Sequence, residues 1–119
     1  MKENIILKKT FEFSLEISKL VVLLRKKGET VISKQLLRSA TSIGANVQEA
    51  TAAISKKDFI LKMSIASKEA RESAYWLNLL NTSKMIDLEY SSYLSLIDEI
   101  IKILTAILKT AQSNQISSK

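Results

Sequence analysis

The sequence predicts an all-α protein, an antiparallel up-down-up-down four-helix bundle. The 119 residues include no proline and only two glycines, Gly28 and Gly44, so the turns of a β-sandwich or β-barrel would lack their typical residues. Apolar residues recur at steps of three and four along four long segments. The connections between these segments are short, which is typical of antiparallel neighbours in a bundle. We expect one domain over residues 1–119.

The first predicted helix covers residues 3–27, with Phe13, Ile17, Leu20 and Leu24 on one face. Cations occupy its last turn, where they favour a helix C-terminus, and Gly28 follows as a typical C-cap.

The second predicted helix covers residues 30–54 and begins at Thr30, a typical N-cap. Its apolar face consists of Leu36, Ala40, Ile43, Val47, Ala50 and Ile54. Gly44 lies within this helix, where glycine costs about 0.5–1 kcal/mol relative to alanine. We therefore predict that a neighbouring helix approaches closely at Gly44, the alternative being a tolerated defect.

The third predicted helix covers residues 56–83 and follows a variant capping box formed by Ser55 and Asp58. The fourth covers residues 88–111 and is capped by Asp87 or a nearby serine. The polar tail, residues 112–119, has no apolar periodicity, and we expect it to be frayed.

The fourth helix carries two adjacent apolar seams, which is more than a bundle helix needs. The first seam is Tyr90, Leu94, Ile97, Ile101, Leu104, Leu108 and Ala111, and the second is Tyr93, Leu96, Ile100, Ile103 and Ile107. We predict that the second seam packs against another subunit, which makes the protein a homo-oligomer. The alternative is a fourth helix that lies deep in its own bundle.

The composition excludes most catalytic and metal chemistry. Without cysteine or histidine there can be no disulfide, thiolate zinc site, Ser-His-Asp triad or imidazole-ligated metal. Glu49, Glu69 and Glu72 could converge as carboxylate ligands, but di-iron bundles use Glu-x-x-His pairs. We expect no enzymatic activity, catalytic residue, metal or cofactor.

The chain also lacks segments that would direct it to a membrane. The N-terminal apolar run Ile5–Leu7 is too short for a signal peptide, and no uncharged stretch approaches the roughly 18 residues of a membrane span. We expect a cytoplasmic protein that does not bind membranes.

Polar side chains concentrate on the second and third helices. The set comprises Arg38, Asn46, Glu49, Glu69, Arg71, Glu72, Tyr75 and Trp76. Buried or interfacial arginine and glutamate need partners, and these residues are complementary in number and sign. We predict an inter-helix or inter-subunit network of ion pairs and hydrogen bonds that fixes the register.

Eighteen lysines and arginines against 12 aspartates and glutamates give a net charge of +6. The candidate contacts to nucleic acid are Lys19, Arg25, Lys26, Lys27, Lys34, Lys56 and Lys57. Repeated around a ring of subunits, such a basic face would hold an RNA or DNA backbone without reading its sequence. One alternative is a solvated lysine-rich surface, and another is a structural module that docks a polypeptide without nucleic acid.

Two segments, Gln35–Ala50 and Lys68–Leu77, resemble bacterial four-helix-bundle proteins first noticed as reading frames in intervening sequences of 23S rRNA genes, the S23-like family. The family often reads Ser-Ile-Pro-Ala-Asn-Ile-Ala-Glu-Gly, whereas here Gly44 replaces the proline and Ala50 the glycine. The resemblance implies a homopentameric ring without an established enzymatic activity. The chain is also similar to the accessory protein of diversity-generating retroelements, which implies that it binds nucleic acid and another protein.

Overall fold

The computed structural model describes the backbone of residues 2–117 and the side chains of residues 5–114. The helices are α1 (Lys2–Lys26), α2 (Val31–Ala50), α3 (Lys56–Ser83) and α4 (Ser91–Ser117). They form a bundle 53 Å long and 22 Å wide. Contacts join the helices in the order α1, α2, α3, α4 and back to α1, so α1 and α3 occupy diagonally opposite corners. The predicted all-α four-helix bundle is confirmed.

The connection between α1 and α2 satisfies the ends of both helices. Gly28 has φ +93°, and the amides of Gly28 and Glu29 donate to the carbonyls of Arg25 and Leu24 at 3.0 and 2.9 Å, a Schellman motif with the predicted glycine. The Glu29 carboxylate then accepts from the amides of residues 31, 32 and 33 at 3.2, 3.0 and 2.6 Å. Thr30 makes no side-chain capping bond. Thr30 is the N-cap residue, as predicted, but the capping side chain is the buried Glu29, which reaches three free amides at once.

Helix α2 ends at Ala50, four residues before the predicted boundary. The amides of Thr51 and Ala52 donate to carbonyls three residues earlier, at 3.2 and 3.0 Å, which tightens the chain out of the helix. Ile54, expected on the apolar face, is 94 % exposed. The next boundary is as predicted, since the Ser55 hydroxyl accepts from the Asp58 amide at 3.0 Å and α3 covers residues 56–83.

Helix α4 differs from its prediction at both ends. It begins at Ser91, whose amide donates to the Glu89 carboxylate at 3.1 Å, so the predicted cap by Asp87 or a serine is wrong. The structure continues the helix through residues 112–117, beyond the predicted boundary at 111, and residues 118–119 lie outside the described part of the chain.

The core contains residues of both α4 seams. Ile100 and Ile107, predicted at a subunit contact, are 0 % and 5 % exposed within the single bundle. Tyr93, Leu96 and Ile103 are half-buried and pack against the core. The assignment of Ile100 and Ile107 to a subunit contact is wrong, because the buried line of α4 runs between the two seams and draws on each.

Two close helix contacts involve small residues. A Cβ added at Gly44 would lie 3.5 Å from the Ser14 hydroxyl and from the Thr10 carbonyl oxygen, so α1 passes close to α2 but leaves room for a methyl group. Between α2 and α3, the fully buried hydroxyls of Ser39 and Ser73 hydrogen-bond at 2.8 Å. None of the helices in the described range is both long and apolar enough to cross a membrane.

Candidate functional site

The densest group of polar side chains joins α2 to α3. Arg38 extends from α2 to two carboxylates of α3, with its Nη1 atom 3.1 Å from Glu69 Oε2 and its Nη2 atom bonded to Glu72 Oε2. The indole Nε1 of Trp76 donates to the same Glu72 oxygen at 3.0 Å. On a helix, residues three and four apart share a face, which is why positions 69, 72 and 76 can line one side of α3. We call these four residues the Arg38 cluster.

Hydrogen bonds stabilise the charged forms of the Arg38 cluster. The hydrogen bond from Trp76 lowers the pKa of Glu72, partial burial opposes this effect, and the bond from Arg38 lowers the pKa further. Hydrogen bonds to Glu72 and then to Glu69 raise the pKa of Arg38. Glu69 is 13 % exposed at its side chain and Arg38 is 47 % exposed, so the cluster lies at the edge of the α2–α3 contact.

This arrangement favours a structural role over a catalytic one. A carboxylate with a lowered pKa is a poor proton donor near neutral pH, and both carboxylates already accept bonds from Arg38. Arg38 bridges the carboxylates of Glu69 and Glu72. Among the side chains that the structure describes, no three acidic residues group as a metal site would require.

Glu49 and Asn46 have partners outside the Arg38 cluster, whereas Tyr75 contacts the cluster through Trp76. Glu49 pairs with Lys62 of α3 at 2.9 Å. The Asn46 amide donates to the Ser42 carbonyl of its own helix at 2.9 Å. Tyr75 stacks edge-on against Trp76, with ring centroids 5.1 Å apart, and its side chain points into solvent.

Arg71 was expected in the same network but faces the other flank of α3. It lines a concavity together with residues of α4, while Glu72, next in sequence, pairs with Arg38 of α2. Consecutive helical residues point about 100° apart, so one residue can face α4 while the next faces α2. Arg71 therefore does not join the Arg38 cluster within one subunit, and its contact with another subunit stays a prediction.

The predicted nucleic-acid contacts do not form one face. Residues 25, 26, 27 and 34 lie where α1 ends and α2 begins, whereas Lys56 and Lys57 open α3 at the opposite end of the bundle. Lys19 lies within α1 and pairs with Glu16 at 3.5 Å. The prediction of a single basic face is corrected to two separate groups, because antiparallel helices place successive connections at alternate ends.

Two exposed apolar stripes were not anticipated. The α1 stripe consists of Phe11, Leu15 and Val22, and the α3 stripe consists of Leu61, Tyr75 and Leu79. Within each stripe the residues are four, seven or fourteen apart and so share one face of the helix. The sequence shows the spacing of the α1 stripe, but the core face of α1 lies beside it and by itself accounts for the apolar periodicity of this helix.

Comparisons with known proteins agree with this fold. The sequence model of the 23S rRNA-intervening sequence protein family matches residues 2–106. A solved protein of unknown function from the S23 ribosomal protein family of Bacteroides thetaiotaomicron is 47 % identical, with a TM-score of 0.86 over 92 % of this chain and 99 % of that one. Among curated proteins none matches significantly. The chain therefore belongs to the 23S rRNA-intervening sequence protein family.

Proposed function

We propose that this protein is a non-catalytic binding module that assembles head to tail into a ring of identical subunits. The observation that carries the proposal is the pair of exposed apolar stripes on diagonally opposite helices. Phe11 is 66 % exposed on the α1 stripe and Tyr75 is 60 % exposed on the α3 stripe. Large apolar side chains aligned along a helix and left in water are typical of surfaces that bind another protein.

The positions of the stripes favour a ring over a symmetric pair. A contact between two different surfaces leaves one of each free at the ends of the assembly, so it repeats, and it forms a ring where the rotation between neighbouring subunits closes. The α1 stripe spans about 17 Å and the α3 stripe about 27 Å at the α-helical rise, lengths that suit side-by-side packing of helices. Five subunits is the number that the family resemblance implies.

Light scattering tests the ring directly, because one chain has a mass of 13.3 kDa. Phe11→Ser with Leu15→Ser removes the α1 stripe, and Leu61→Ser with Tyr75→Ser removes the α3 stripe. Each double variant should be monomeric at micromolar concentration. Ile54→Ser is the matched control, because Ile54 is exposed but belongs to neither stripe, and it should assemble like the original chain.

Mixing the two double variants separates head-to-tail assembly from self-pairing. Each variant retains the stripe that the other lacks, so an equal mixture should form a dimer of one copy of each. If each stripe instead packed against the same stripe of another subunit, the mixture would contain no mixed dimer. A monomeric original chain at micromolar concentration would contradict the proposal entirely.

Nucleic-acid binding is a second candidate function, favoured by the basic end, which we define as Arg25, Lys26, Lys27 and Lys34. All four residues are exposed to solvent, and no ion pair involves them among the described side chains. In a ring of parallel subunits, the basic end of every copy would face the same side. Such a surface attracts a phosphate backbone without distinguishing its sequence.

Fluorescence anisotropy with labelled single-stranded and duplex oligonucleotides tests this function. Binding should be strongest at low salt, and Lys26→Gln with Lys27→Gln should reduce the salt dependence. Lys56→Gln with Lys57→Gln removes the same charge from the opposite end, and it should retain binding. If no oligonucleotide binds even at low salt, this second function is contradicted, and the protein is a module that binds only polypeptides.

A further inference from the structure

A concavity of about 480 Å³ opens between α3 and α4, away from the Arg38 cluster and from the basic end. Its lining residues are Ser67, Arg71, Thr105, Leu108, Lys109, Gln112 and Ser113. Two of these residues are cations, four carry hydroxyl or amide groups, and none is acidic.

The two cations of this concavity have no internal counter-charge. Neither Arg71 nor Lys109 takes part in an ion pair with any side chain that the structure describes. The carboxylates of α3 nearest in sequence, Glu69 and Glu72, are bonded to Arg38 on the other flank of that helix. Bringing two positive groups to one opening without a carboxylate creates a local potential that favours an anion.

The remaining polar groups can donate hydrogen bonds. The Thr105 hydroxyl already donates to the Ile101 carbonyl at 2.8 Å, but no hydrogen bond uses the side chains of Ser67, Gln112 or Ser113 as donors among the described residues. Most of the polar atoms that line the concavity are therefore hydrogen-bond donors. They belong to the guanidinium of Arg71, the ammonium of Lys109, the hydroxyls of Ser67 and Ser113 and the amide of Gln112. An oxyanion with several oxygens fits such a set.

We propose that this concavity binds a phosphate group. A phosphomonoester carries close to two negative charges and three acceptor oxygens, which match the two cations and the surrounding donors better than the single charge of a carboxylate does. Arginine binds phosphate through two parallel N–H bonds, and lysine adds a point charge. The volume exceeds that of phosphate alone, and Leu108 supplies an apolar surface for an attached organic group.

The phosphate could belong to a free mononucleotide or to a nucleic-acid chain, and the experiment separates these sources. Calorimetric titrations of the full chain at low salt use adenosine 5′-monophosphate, adenosine, inorganic phosphate and an oligothymidylate without terminal phosphates. We expect the monophosphate and inorganic phosphate to bind and adenosine not to bind. Binding of the oligothymidylate alone would support a site for phosphodiester groups in a chain.

Variants locate the binding. Arg71→Gln and Lys109→Gln should each weaken binding by about tenfold or more, since each removes a charged hydrogen-bond donor. Lys102→Gln is the matched control, because Lys102 lies on α4 outside this concavity and pairs with Asp98, and its affinity should stay within about twofold. Circular dichroism should show an unchanged fold for all three.

Three outcomes would overturn the proposal. The first is that no phosphate-containing probe binds, and the second is that Lys102→Gln weakens binding as much as Arg71→Gln does. The third is that Arg71→Gln changes the mass measured by light scattering while no probe binds the original chain. In that case the two cations meet an acidic side chain of a neighbouring subunit instead of a phosphate.

Discussion

Replacing Gly44 with alanine should stabilise the bundle, although Gly44 lies where α1 and α2 come close. The new Cβ would lie 3.5 Å from the Ser14 hydroxyl and from the Thr10 carbonyl oxygen, and these are ordinary van der Waals distances. No neighbour has to move, so the change in packing energy is small. Alanine is favoured over glycine within a helix by about 0.8–1.0 kcal/mol. We therefore expect the free energy of unfolding to rise by about 1 kcal/mol.

Urea unfolding followed by circular dichroism measures this change, with protein concentration varied to separate folding from association. The expected result is a higher midpoint with an unchanged m-value. Ala45→Gly is the matched control, because Ala45 is the next residue of α2 and its side chain is exposed. It should lose about 1 kcal/mol through helix propensity alone. A loss of stability in Gly44→Ala, with the control behaving as expected, would show that α1 requires glycine at this position.

Three further predictions concern the caps, the core and the Arg38 cluster. Glu29→Ala should cost about 1–2 kcal/mol in thermal unfolding, because the carboxylate satisfies three amides of α2. Ile100→Ala should cost about 2–5 kcal/mol and Ile103→Ala much less, measured by urea unfolding, because Ile100 is fully buried. Equal costs would contradict the burial described for α4. The hydrogen bond from Trp76, and after it the bond from Arg38, lowers the pKa of Glu72, so its stabilising contribution is present above the ordinary carboxyl pKa and lost as the pH falls through the lowered pKa. Glu72→Gln should therefore flatten the acid limb of a stability–pH curve, and an unchanged limb would contradict the bonds that Trp76 and Arg38 make to that carboxylate.

The helix boundaries that the sequence could predict are those with a local chemical signal. Gly28 indicates the end of α1, because the residue there has a positive φ that glycine adopts readily. Ser55 indicates the start of α3, because its hydroxyl accepts a hydrogen bond from a free amide of the first turn. The end of α2 carried no such signal, and Ile54 continued the apolar spacing into a turn. The start of α2 was assigned to Thr30 because threonine is a common N-cap, whereas the neighbouring glutamate makes the bonds.

The candidate site was predictable in its chemistry but not in its geometry. Complementary charges on α2 and α3 indicated that Arg38 has acidic partners, and the structure supplies Glu69 and Glu72. Spacing along one helix does not say which neighbouring helix a residue faces, and for this reason Arg71 was grouped with a cluster on the other flank. The sequence does not indicate that Lys62 is the partner of Glu49, because this ion pair depends on how α2 and α3 are aligned.

The two seams of α4 illustrate the same limit for apolar residues. Periodicity separated two adjacent rows, but the core takes members from each because the buried surface of the helix is broader than one row. The number of apolar rows therefore did not measure the surface available to a second subunit. Exposed residues elsewhere, on α1 and α3, provide that surface in the proposed ring.

The buried pair of Ser39 and Ser73 has a consequence for how α2 and α3 find their alignment. Sliding one helix along the other by a single turn, about 5.4 Å, would still bring apolar side chains together. The Ser39 hydroxyl would keep its 3.2 Å bond to the Leu36 carbonyl of its own helix, but the buried Ser73 hydroxyl would lose its partner, and an unpaired buried polar group costs about 1–3 kcal/mol. Two small side chains thus penalise misaligned collapsed states that hydrophobic contacts alone would tolerate.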